Sequence, residues 1–200
     1  MTTTLIQDGT GKGYLVKVTP SNRMLSEATV VDPEDEAIRF GLGWQIASGP
    51  VAFTASTSSA ILYVKNEGEQ ALILDRAVLV LSTATGGVGD WTFQTLRNPA
   101  QDGTIVTNAL AAGVSNSNHG SSKQPDALCY RGVQGDTVDV AGVGTGAPLP
   151  IQQSQARTVF PLGRRLELGS SIAWRLTPPP STTAATGVLV THFYYDQSEA

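Results

Sequence analysis

Side chains able to do chemistry are few in this chain of 200 residues: two histidines, His119 and His192, one cysteine, Cys129, and a charged fraction of 15 %. The histidines stand too far apart for a recognised zinc-ligand spacing, and neither has a cysteine or carboxylate at a short offset on its own strand. His192 alternates with Val188, Val190 and Tyr194, the pattern of a packed strand residue. His119 lies in the polar run from Ser115 to Ser122 and is the histidine placed to make a contact. Cys129, between Leu128 and Tyr130, reads as a small buried hydrophobe, and a lone cysteine forms no internal disulfide.

Glycoside hydrolysis needs two carboxylates roughly 5 to 10 Å apart across a cleft. The densest acidic group, Asp32, Glu34, Asp35 and Glu36, is explained by the start of a helix: Asp32 caps, Pro33 takes the first position, and the acids suit the dipole. No Gly-x-Ser-x-Gly elbow presents a serine to a histidine. Gly9 to Gly13 resembles a phosphate loop only superficially, because Lys12 is followed by a glycine and a strand. Gly142 to Gly146 lacks the third glycine spacing and the helix of a dinucleotide site. Asp136 and Asp139 are left as loop oxygens for a hard cation. The residues therefore predict no catalytic group, no cofactor and no metal, and a protein that is not an enzyme.

The elements behind these residues are strands. Apolar runs at Ala60 to Asn66, Ala71 to Ser82, Trp91 to Asn98, Ala127 to Val133, Ser170 to Thr177 and Val188 to Tyr195 are separated by Gly, Pro, Asn and Ser clusters. That punctuation, with 21 Gly and 11 Pro, predicts an all-β, jelly-roll-like antiparallel sandwich over residues 21–200. Ile172, Trp174 and Leu176 alternate with Ala173, Arg175 and Thr177, as in a strand covering a core on one side only. Leu72 to Leu81 is apolar at consecutive positions around Asp75 and Arg76, so it belongs at a sheet centre or beneath a neighbouring subunit. Trp91, Trp174, Tyr130 and Tyr195 fall in strand patterns and read as core. Arg164 and Arg165 form the closest thing to a basic cluster and read as a hairpin edge.

Long polar loops are expected at Asn108 to Pro125, Val140 to Gln155 and after Pro178. Residues 1–20 read as an extended N-terminal arm, with Gly9, Gly11 and Gly13 as hinge and few anchors: Leu5, Ile6, Tyr14, Leu15, Val16 and Val18. Those six and His119 are the candidate partner contacts. A net charge of −4 argues against direct nucleic-acid binding, and no stretch approaches the ~20 apolar residues of a membrane span. Nothing at Met1 to Gly9 reads as a leader, so the chain is expected to fold in the cytoplasm where it is made.

The order of several short motifs resembles a group of small virion structural proteins of tailed bacteriophages. They are Leu5 to Leu25 (LIQDGTGKGYLVKVTPSNRML), Ala60 to Asn66 (AILYVKN), Gly86-Gly87, Arg97-Asn98-Pro99, Asn118 to Lys123 (NHGSSK), Phe160 to Gly163 (FPLG) and Gly169 to Pro179 (GSSIAWRLTPP). The resemblance covers nearly the whole chain. It implies a capsid decoration or cement protein on the virion surface, with a jelly-roll sandwich, a homotrimeric state and the major capsid protein as partner. It implies no catalytic residue. The alternative is a tail or fibre adsorption module that binds a host glycan through its loops.

Overall fold

Residues 33–200 fold as two antiparallel sheets packed face to face, and the sequence alternation decides which side of each strand looks inward. The computed structural model describes residues 4–7, 13–16, 32–98, 103–139, 146–152 and 157–196. The chain divides into two compact units, 1–32 and 33–200.

In the first unit β1 (Thr4–Gln7) pairs antiparallel with β2 (Gly13–Val16), placing Leu5 opposite Leu15, Ile6 opposite Tyr14 and Thr4 opposite Val16. The expected arm strand thus has one ladder edge filled from within its own chain. Closing so short a loop costs little entropy compared with recruiting a distant edge. Val18 lies outside the described residues.

The second unit opens with α1 (Pro33–Arg39), whose first turn carries Glu34, Asp35 and Glu36 as the capping argument requires. Gly41, at φ 71°, adopts the left-handed conformation that ends it. Ala37 is fully buried against the core, and Phe40 is exposed. There follow β3 (Gly43–Ala47), β4 (Val51–Phe53), β5 (Ser59–Asn66), β6 (Leu72–Leu81), β7 (Trp91–Arg97), α2 (Thr104–Asn108) and β8 (Gly113–Asn116). The chain continues through β9 (Ala127–Arg131), β10 (Leu149–Ile151), β11 (Arg157–Leu166), β12 (Ser171–Thr177) and β13 (Ala185–Tyr195).

One sheet runs β11-β6-β13-β3-β8, with β4 also on β13, and the other runs β10-β7-β12-β5-β9. Counting β3, β5, β6, β7, β10, β11, β12 and β13 as first to eighth, the sheets read 1-8-3-6 and 2-7-4-5, the winding of a jelly roll. β8 and β9 extend the sheets past β3 and β5. Between the sheets lie Trp44, Trp91, Trp174, Phe53, Phe93 and Phe193, all essentially inaccessible. Phe193 stacks on Trp44 with ring centroids 5.6 Å apart, and Phe53 meets Trp91 edge-on at 5.7 Å.

Three local expectations change. Ala173 is as buried as Trp174, so β12 is covered on both faces instead of one. The expected loops at Asn108 to Pro125 and Val140 to Gln155 contain β8 and β10. Pro150, which argues against a strand, is tolerated because β10 is an edge strand needing no second ladder. β6 takes its expected interior place, between β11 and β13.

Candidate contact surface

The two sheets differ in what lies on their outer faces. On the β10–β9 sheet the outward side chains Tyr63, Leu96, Ala173 and Ala60 form a second buried cluster with Ile105 of α2 and Val138. Tyr130 stacks on Tyr63 with centroids 6.1 Å apart. This roof is tied down by Asp136, itself 4 % exposed. Its carboxylate accepts hydrogen bonds from Thr104 Oγ1 at 3.1 Å, Asn108 Nδ2 at 2.8 Å and the Val133 amide at 2.8 Å. The Ala60 amide donates to the Asp136 carbonyl at 2.7 Å and the Ile105 amide to the Thr137 carbonyl at 3.1 Å. Asp136, weighed above as a cation ligand, is therefore a structural carboxylate with both oxygens in use. Among the described residues no group of three His, Cys, Asp or Glu could hold a metal.

On the β11–β8 sheet the register places apolar side chains in rows across the outward face. Val159 lies opposite Val78, Val78 opposite Val190, and Val190 opposite Ala47. The next row holds Val80 opposite Val188. Val80 and Val159 are 42 % and 52 % exposed, whereas Val78, Val188 and Val190 shelter one another. α1 packs on β3 and β13 at one end of this face. There Arg76, paired outward on β6, meets Glu34 at 3.3 Å and Asp75 at 2.9 Å. His192, opposite Arg76, is held below its ordinary pKa of 6.5 by burial first and by the Arg76 charge second, with Asp75 opposing. Beyond that charged row Val80 and Val159 face solvent.

The candidate contacts read from sequence are divided between the two units. Leu5, Ile6, Tyr14, Leu15 and Val16 belong to the N-terminal hairpin. His119 is exposed on a loop of the second unit that is anchored to the end of α1. Asn116 Nδ2 donates to the Gly41 carbonyl at 2.9 Å, Asn118 Nδ2 to Arg39 at 3.1 Å and Lys123 Nζ to Phe40 at 2.9 Å. These bonds satisfy carbonyls that a helix end and its exit otherwise leave open. The Trp44 indole N–H donates to the Lys123 carbonyl at 3.0 Å, fixing the loop to the core. Cys129 is sheltered enough that its thiol is pushed up to about 12, as its buried-hydrophobe reading requires. Trp91, Trp174 and Tyr195 are core residues. The valine rows went unread because they are assembled from three strands remote in sequence; Val188, Val190 and the apolar run of β6 carried part of the signal.

No family model matches the chain, and no curated protein matches it by sequence. Among solved structures it is similar to a chain of Tomato aspermy virus, 9 % identical with a TM-score of 0.28, over 88 % of this chain and 86 % of that one. It is also similar to a chain of an infectious bursal disease virus particle, 7 % identical with a TM-score of 0.22, over 79 % of this chain and 40 % of that one. A VP2 subviral particle of the same virus gives 7 % and 0.22, over 79 % and 42 %. The chain thus spans about two-fifths of those longer chains. The jelly-roll winding rests on the strand registers and not on these likenesses.

Proposed function

We propose that this chain is a virion structural protein of a tailed bacteriophage, a capsid decoration protein that binds as a homotrimer where major capsid subunits meet. The observation that carries the reading is the valine face on one sheet, where Val80 and Val159 are exposed, beside an opposite sheet on which Tyr63, Leu96 and Ala173 lie under a roof. An exposed apolar patch on a folded sandwich is what a protein interface needs. The valine side chains are apolar, with Arg157 opposite Val80 as the charged end of one row, a surface that suits a protein partner better than a glycan. The ordered sequence motifs support a virion setting.

In this reading the valine face joins copies of the chain, and the N-terminal hairpin, with Leu5, Ile6, Tyr14, Leu15 and Val16, reaches the capsid together with His119. A chain that binds the assembled shell and not its dispersed subunits stabilises the shell by mass action. Electron microscopy of virions carrying a labelled copy tests the assignment. Density at three-fold or quasi-three-fold junctions of the head is expected; density confined to the tail overturns it in favour of an adsorption module.

A further inference from the structure

Among the described residues the sandwich is open along the side where β10 and β11 are the edge strands. β10 is only three residues long, so it covers little of the gap between the sheets. The result is a cleft of about 410 Å³, within the size range of pockets that accept a ligand. Half-buried Phe160 forms its floor, backed by the buried Phe93 on which it stacks with centroids 4.7 Å apart. Leu149, Leu162 and Ala147 add apolar walls. One lip is fixed: the Gly146 amide donates to the Thr95 carbonyl at 2.8 Å, and Gln94 Nε2 donates to the Gly146 carbonyl at 3.1 Å.

The charged residues of the lining are both cationic. Arg97 comes from β7 and Arg164 from β11, so each sheet supplies one. Neither makes an ion pair among the described residues, and no carboxylate lines the cleft. The neighbouring Arg165 contrasts with them, because it is held by Glu167 and Asp196. In a chain of net charge −4, two uncompensated arginines over an aromatic floor describe the complement of an apolar group that carries negative charge.

The edge strand also limits how that group arrives. Pro161 removes a ladder donor, and the register shifts between Pro161 and Arg164. Proline, bulges and charges on an edge strand obstruct strand addition. The cleft therefore suits an inserted side chain better than an added strand.

We propose that this cleft is a docking site for an acidic segment of another protein, which lays one aromatic side chain against Phe160 and Leu149 while flanking carboxylates pair with Arg97 and Arg164. The site is separate from the valine face, and neither surface requires the other.

Fluorescence anisotropy on the full chain at low salt tests it, with an end-capped, labelled pentapeptide carrying phenylalanine between two aspartates. Saturable binding with a Kd of ~1 mM or tighter is expected. It should weaken about tenfold or more when the aspartates become asparagines, when the phenylalanine becomes alanine, or in the Arg97→Gln/Arg164→Gln variant. Arg131→Gln, outside the cleft, should leave affinity unchanged. Both cleft arginines are exposed, so an unchanged melting temperature of the double variant verifies that the fold survives. Absence of binding, or equal affinity for wild type and double variant, overturns the proposal. Binding of free benzoate without binding of the peptide also overturns it, in favour of a small aromatic anion.

Discussion

On one sheet of this sandwich part of the outer face lies under a roof, and on the other, among the described residues, a face with exposed valines does not. On the roofed sheet, a short helix and the segment around Val138 bury Tyr63, Leu96 and Ala173. On the open sheet, α1 reaches only the charged row at Arg76, and Val80 and Val159 stay in water. The roofed residues have their partners within the chain, whereas among the described residues Val80 and Val159 present the same kind of surface to solvent. Apolar area is worth roughly 25 cal/mol per Å² when removed from water, which favours a second molecule doing for one sheet what α2 does for the other.

Truncations should expose the difference in order of size. Trp174→Ala removes a fully buried ring from the shared core and should cost about 3–5 kcal/mol in chemical denaturation. A loss below ~1 kcal/mol would mean that the inter-sheet core is not packed as described. Ile105→Ala acts on the roof alone: Ile105 is fully buried, and its loss should cost about 2–3 kcal/mol. Gly103→Ala probes the same roof from the backbone, because an added Cβ would lie 2.3 Å from both the Thr137 carbonyl oxygen and the Val138 Cα. If either roof variant melts like wild type, the roof is not an integral part of the fold.

The roof also shows where sequence reading stops. The strands read from their apolar runs, β5, β6, β7, β12 and β13, lie where those runs place them, and the helix at Pro33 follows from its cap and its acids. α2 gives no such warning: Thr104, Ile105, Val106 and Thr107 include β-branched residues that propensity assigns to strands. They form a helix because Ile105 fits the hollow above Ala60 and Ala173, a tertiary effect with no local signature. β8, with Val114 as its one large apolar residue, likewise exists because β3 offers it a ladder. The open valine face and the arginine cleft are further products of register, joining residues separated by tens of positions. Contact residues read along the chain instead fell in the N-terminal hairpin and at His119.

Charge placed on the open face should change association and leave the subunit almost untouched. Val80→Lys with Val159→Lys adds two ammonium groups at positions already 42 % and 52 % exposed, so subunit stability should stay within about 0.5 kcal/mol. The proposed trimer should become monomeric in light scattering at micromolar concentration. A wild type that is itself monomeric, free and after extraction from virions, would remove the valine face as a homotypic interface.

The smallest effect expected is a pH dependence at the border of the two territories on this sheet. His192 faces Arg76 across the β6–β13 ladder, with Asp75 and Glu34 gathered around the same guanidinium. Burial and the Arg76 charge both disfavour its protonation, so its folded pKa lies below the ordinary 6.5. The unfolded chain then binds more protons between those two values, and linkage makes stability rise with pH in that window. The contribution is fully present above about 6.5 and declines as the pH falls through the window toward the folded pKa. Denaturation midpoints should therefore decrease on acidification below pH ~6.5, with a smaller slope in His192→Gln. A partner covering the valine rows would extend the dry region toward His192 and lower its pKa further, so the oligomer should lose stability over the same acidic window more steeply than the Lys-substituted monomer. Equal slopes in the two would place His192 outside the covered area and confine the interface to the rows of Val80 and Val159.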